Sequence, residues 1–230
     1  MNLRDQRLET PARRLLNNFG ALSDVEPCHV ATLTRVITES AHLIRQLNAA
    51  VASCGLRRFE LFDPTDASTD RLGGYDRMLR TIRIPATVLA EGDEPEIAYL
   101  LGHDLQHALN SSAGTDHRSH DATGRLPDLL MIDRLEESRT AIAGWNALVD
   151  HLRSRRPDLT LQDVYTTSPD RATSVVIMEP ALGIAPSRNL LINDDLTVDP
   201  SFHNLQAMAQ NYTDQLAIPP AYERYPQVGV

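Results

Sequence analysis

Lysine is absent from this chain: all 22 basic residues are arginine, set against 31 acidic ones, for a formal net charge of -9. So acidic a balance argues against a general nucleic-acid or anionic-membrane binder, because both need a basic face. Missing lysine has two readings of its own. One is a GC-rich genome that favours arginine codons; the other is avoidance of lysine-directed modification, such as ubiquitination, in a protein delivered into eukaryotic cells. Cysteine is scarce as well. Cys28 and Cys54 permit one disulfide but no cysteine-based zinc knuckle, and reduced, buried thiols are the expectation. No stretch approaches the ~18 apolar residues of a membrane span, and the opening MNLRDQRLET lacks the apolar core of a secretory signal. The expectation is a chain made in the cytoplasm, with no membrane partner and any export by a signal-independent route. A phosphate-binding glycine loop, a Gly-x-Ser-x-Gly elbow and a motif-framed nucleophilic cysteine are all missing, which removes three common enzyme chemistries.

What remains is an ordinary globular composition, 42% apolar and 23% charged over 230 residues, enough for one domain with a real core. A first helix around RRLLNNFG ends at Gly20. Val30, Leu33, Val36, Ile37, Ile44, Leu47 and Val51 recur at helical steps and predict one amphipathic helix over 29–52. RRFELFD and MLRTIRIP read as short strands, joined by the turn-rich PTDASTDRLGGYD. Pro85 ends the second strand or confines it to an edge. A helix follows in GDEPEIAYLLGHDLQHALN, with Pro95 and acidic residues in its first turn. A polar loop leads to the long helical run LLMIDRLEESRTAIAGWNALVDHLRSR, then a strand at NLLIND and a helix at FHNLQAMAQNY. The fold class is α+β: a helical segment over 1–55, a core over 56–215 and an extended tail over 216–230, all in one domain.

The chemistry concentrates in YLLGHDLQHALN. On a helix turning about 100° per residue, His103 and His107 lie about 40° apart, opposite the apolar stripe of Ala98, Leu101, Leu105 and Leu109. Glu96, Tyr99 and Asn110 fall near them. Two imidazoles one turn apart can face one ion, and a third protein ligand leaves a position for water. On the second long helix, Leu135, Ala141, Ile142, Trp145, Leu148 and Val149 mark the buried face. Glu137 sits at its margin and Glu136 points away from it. His117 and His120, in the loop DHRSHD with Asp121, stand in reserve.

The stretch GGYDRMLRTIRIPATVLAEGDEPEIAYLLGHDLQHALN resembles the zincin metallopeptidases: a strand ending near proline, a short connector, then a helix carrying His-Glu-x-x-His. RLEESRTAIAGWNAL is similar to the second helix of the glutamate-type members. The resemblance spans roughly residues 73 to 149. It implies a zincin-like core, one Zn²⁺ on His103, His107 and a third ligand, for which Glu137 stands ahead of Glu136, and hydrolysis of peptide or amide bonds in a protein or peptide substrate. The His-x-x-Gly-x-x-His extension of other zincins is absent, since Asn110 and Ala113 stand in the relevant places. Bacterial delivered effectors and toxin domains include zincins of this size, and the lack of lysine is compatible with that role.

One departure sets the limits of that expectation. The family glutamate that takes a proton from water is Asp104 here, shorter by one methylene and about 1.5 Å of reach. Zinc binding would survive the change, because that residue is not a ligand. A zincin fold kept as a catalytically impaired binding module is therefore one alternative. Another is an HD-domain phosphohydrolase, in which His103 and Asp104 both bind metal with His29 or His42 upstream and Asp150 downstream. His151 and His203 stand alone in the sequence, and Tyr212 or His203 is open as an oxyanion stabiliser.

Overall fold

Three helices with strong apolar faces come first in the chain. α1 (Thr10–Gly20) buries Ala12, Leu15, Leu16 and Phe19, one stripe at helical spacing. α2 (Pro27–Glu39) and α3 (Ala41–Ala52) replace the single helix predicted over 29–52. The break is Ser40, at φ -112° and ψ 113°. Its Oγ accepts the Leu43 N–H at 3.1 Å and donates to Asp150 Oδ2 at 2.9 Å, while the His42 N–H reaches the same carboxylate oxygen at 2.8 Å. An N-cap of this kind contributes about 1 kcal/mol. Apolar residues continue in step across the break, so periodicity does not register it.

A computed structural model of the chain describes residues 7–22, 24–63, 74–114, 126–176 and 189–214, with 126–130 and 211–214 as backbone only. Within them, β1 (Arg58–Phe62), β2 (Gly74–Asp76) and β3 (Thr81–Pro85) form a mixed sheet of order β1-β3-β2. β1 pairs parallel with β3, Phe59 opposite Ile82 and Phe62 opposite Pro85; β2 pairs antiparallel, Tyr75 opposite Ile82. β3 is thus central, and Pro85 closes it without making it an edge. The expected turn-rich connection holds an unanticipated strand in its last three residues, Gly74–Asp76. α4 (Ala86–Glu91) fills the connector and ends at Gly92, whose φ of 67° favours glycine.

α5 (Glu94–Ser112) and α6 (Leu126–Arg155) pack side by side. Two glycines let them touch. A Cβ on Gly102 would meet Ala147 Cβ at 2.6 Å and Ala143 O at 2.8 Å, and one on Gly144 would meet Tyr99 O at 2.8 Å. On one side of this pair, a core of α1, α2, α3, the sheet and α5 buries Phe19, Leu33, Leu47, Phe59 and Ile82. The described residues of segment 1–55 therefore share their core with the sheet and α5. On the other side, Trp145, Ile142, Val164, Val175 and Met208 form a second core beneath α7 (Leu161–Thr167), α8 (Pro169–Val175) and α9 (Phe202–Asp214).

NLLIND joins no sheet. It makes one bridge, Ile192 to Val198, and the Asn204 side chain takes the Leu191 backbone, accepting its N–H at 2.9 Å and donating to its carbonyl at 3.0 Å. The segment after it is held from α6: Trp145 Nε1 donates to Leu196 O at 2.7 Å, and Asn146 exchanges two hydrogen bonds with Val198. Cys28 and Cys54 are free and exposed, not buried as expected. The tail assigned to 216–230 lies outside the described residues.

Candidate metal centre

α5 is buried on more than its apolar stripe. Tyr99, Gly102, Asp104 and Asn110 are buried too, because the helix lies between the sheet and α6. His103 and His107 stay partly accessible, with side-chain exposures of 24% and 17%, and turn toward α6. Their Nε2 atoms are 3.1 Å apart. Glu137 reaches in from α6, its Oε2 3.8 Å from His103 Nε2 and its Oε1 3.8 Å from His107 Nε2. A tetrahedral ion with ligand bonds of ~2.0–2.1 Å spaces its ligand atoms about 3.4 Å apart. The two nitrogens lie close to that spacing, and Glu137 offers a different oxygen to each. One donor atom from each residue lies within 4.8 Å of the other two, a set of two imidazole nitrogens and a carboxylate that suits a divalent transition ion.

Glu136 is the residue whose direction differs from expectation. It is 5% exposed, and its Oε1 lies 3.3 Å from His107 Nδ1, the ring nitrogen turned away from the donor triangle. α6 is packed on several sides, so a single buried face does not say where Glu136 points. A carboxylate on the outer nitrogen of a ligating histidine fixes the ring and keeps the proton on Nδ1, leaving the Nε2 lone pair free for an ion. Burial works against a charge on His107, but Glu136, Glu137 and Asp104 together outweigh it and raise its pKa.

Tyr99, one turn before His103, supports the other imidazole. Its ring stacks on His103 with centroids 6.2 Å apart and planes at 28°. Arg171 from α8 lies over the Tyr99 ring, 4.3 Å from its centroid, and pairs with Glu96 through two hydrogen bonds. Burial, foremost, lifts the Tyr99 phenol to about 12, so the ring is neutral.

Asp104 faces the sheet. It is 7% exposed and accepts a backbone hydrogen bond from Tyr75 on β2. Gly74 beside it has φ 105°, a conformation that favours glycine and lets the strand pass 3.5 Å from Asp104 Oδ1 at its Cβ position. Burial raises the Asp104 pKa to about 7, against the pull of His107 and the Tyr75 amide. A cavity of about 290 Å³ opens here between β3, α4 and α5, lined by Ile82, Ile84, Val88, Ile97 and Leu100 as well as His103 and Asp104.

The residues of the phosphohydrolase alternative are scattered. His29 groups with Glu26 and Cys28, Asp150 caps α3 beside His42, and none of them joins Asp104 in a metal-capable group among the described residues. His117, His120 and Asp121 lie outside the described residues, and so does the Tyr212 side chain. His203 is exposed on α9. His151, which looked solitary, is fully buried between two carboxylates. Comparison with protein-family models, curated proteins and solved structures finds no match.

Proposed function

We propose that the chain is a zinc-dependent hydrolase of the zincin type, acting on peptide or amide bonds. The donor triangle of His103, His107 and Glu137 carries this reading, because its spacing and chemistry fit a single tetrahedral ion. When bound, zinc supplies Lewis acidity at a carbonyl oxygen and lowers the pKa of a coordinated water.

The chain's own residues supply the rest. Glu136 holds the His107 ring and its tautomer, and Tyr99 stacks on His103 to set its plane. Asp104 is the proton carrier: it accepts a proton from the attacking water and releases it to the leaving amine. Its carboxylate is tethered to the Tyr75 amide, so a second water bridges the reach lost with the missing methylene. The apolar cavity beside it takes a hydrophobic side chain of the substrate and keeps bulk water from the scissile bond. A chain without lysine that carries this site suits a protein delivered into a host cell, where it offers no side-chain amine for ubiquitination.

The test is hydrolysis of a mixed peptide library. Cleavage should stop with chelator and return with zinc, and Asp104→Glu should raise kcat by restoring the family's reach. Zinc retained with no cleavage by either the parent or Asp104→Glu would leave a binding module. Manganese-dependent cleavage of phosphate esters, with peptides untouched, would refute the proposal.

A further inference from the structure

The opposite end of the α5–α6 pair gathers a second set of ligand-type side chains that the proposed hydrolase does not use. Glu39 ends α2, Glu94 opens α5, and His151 lies in the last turns of α6. One donor atom from each comes within 4.8 Å of the other two. His151 is 0% exposed, and neither of its ring nitrogens has a hydrogen-bond partner. Its Nδ1 is 3.7 Å from Glu39 Oε2, and its Nε2 is 3.6 Å from Glu94 Oε2. An enclosed imidazole without a hydrogen bond is costly, and here each ring nitrogen faces a different carboxylate, the Nε2–Glu94 pair near the ~3.4 Å spacing of two atoms on one ion.

We infer that Glu39, Glu94 and His151 form a second site for a divalent transition ion of the zinc class, with a structural role. One nitrogen and two carboxylate donors select such an ion over calcium or magnesium, which take oxygen alone, and the absence of thiolate disfavours monovalent copper. Burial and the nearby Arg155 hold the His151 pKa below its ordinary value, so the ring keeps a lone pair to donate. An ion on Nε2 takes Glu94 directly, and the Glu39 side chain, 33% exposed, swings to complete the set. Its three ligands would tie α2, α5 and α6 together.

Arg155 competes for this site. Its guanidinium bonds Glu39 Oε2 at 2.7 Å and also Glu94 Oε2, while Arg35 pairs with Glu94 Oε1. The Arg155 and Arg35 side chains are 47% and 53% exposed, so both can turn into solvent and yield the carboxylates. A network that was only an ion pair would lose stability when Arg155 is removed and gain nothing. A metal site loses a competitor.

The experiment is zinc titration of the full-length His103→Ala/His107→Ala variant, which lacks the first centre and so reports on this site whatever becomes of the hydrolase proposal. One zinc should bind and raise the Tm. Adding His151→Gln or Glu39→Gln should abolish both effects; Glu39, partly exposed, serves if the buried His151 variant does not fold. Adding Arg155→Ala should tighten zinc binding about tenfold, the scale of a lost charge-assisted hydrogen bond. No zinc bound by the double variant, zinc retained after both Glu39→Gln and His151→Gln, or an Arg155→Ala affinity equal to or weaker than its parent would each overturn the site.

Discussion

The two ends of the α5–α6 pair use the same residue types to different electrostatic effect. At one end, His103, His107 and Glu137 turn donor atoms toward a common point, with Glu136 braced behind His107. At the other, Glu39, Glu94 and His151 converge as well, but the Arg155 guanidinium lies between the carboxylates. The acids raise the His107 pKa, whereas burial and Arg155 lower that of His151. Histidine and carboxylate in proximity therefore do not define a metal centre alone; the cation already provided by the chain decides how readily an ion enters. The glycine contact at Gly102 and Gly144 lies between the ends and sets the helix separation for both.

Removing a ligand from the first end should have the largest effect. His103→Ala should cost more than about 10³-fold in zinc affinity at that centre, since a three-ligand site is reduced to two, and competition with a chelating indicator reads this directly. Glu136→Gln sharpens the contrast between ligand and brace. It should keep the zinc stoichiometry while weakening affinity by about 10–100-fold, the usual scale for an outer partner of a ligating histidine. An unchanged affinity would mean that Glu136 is a bystander.

Gly102→Ala attacks what the two ends share. Its Cβ has no room against Ala147 and the Ala143 carbonyl, so denaturant unfolding should show a loss of about 1–3 kcal/mol. A wild-type midpoint would show that the helices can part without cost.

The ends should also respond to acid with opposite sign. In metal-stripped protein, His107 and Asp104 both have folded pKa values raised above their unfolded ones, Asp104 to about 7. Their contribution to stability is full below the unfolded values and fades as pH rises through the folded ones. At the other end, burial first, then Arg45, lowers the His42 pKa to about 4 against the pull of Asp150. Its contribution is full above about 6.5 and fades as pH falls toward 4. His42→Gln should therefore flatten the loss of stability between pH 7 and 4 and leave the alkaline side alone, as unfolding midpoints across that range would show. A slope unchanged by the substitution would assign acid sensitivity elsewhere.

What could be read in the residues follows the physics of each feature. The pair His103 and His107 was visible because a four-residue step on a helix is local, and Glu137 because it sits at the margin of a clear apolar face. Glu136 was misdirected because α6 has neighbours on several sides, so burial does not follow one stripe. The Ser40 break was hidden by apolar residues that keep step across it, and β2 by being three residues long within a glycine-rich turn. NLLIND has the composition of a strand, but the Asn204 side chain captures the Leu191 backbone and the segment pairs only through Ile192. The second cluster had no motif at all: Glu39, Glu94 and His151 meet only because three helices converge.

The central assignment, a zinc ion on His103, His107 and Glu137 with Asp104 outside the ligand set, is tested most directly by metal content. Untagged parent, Glu137→Gln and Asp104→Ala proteins would be saturated with zinc, passed through gel filtration and analysed for metal per chain. Asp104→Ala should hold as much zinc as the parent, and Glu137→Gln one equivalent less. Equal zinc in parent and Glu137→Gln, or a lost equivalent in Asp104→Ala, would contradict it.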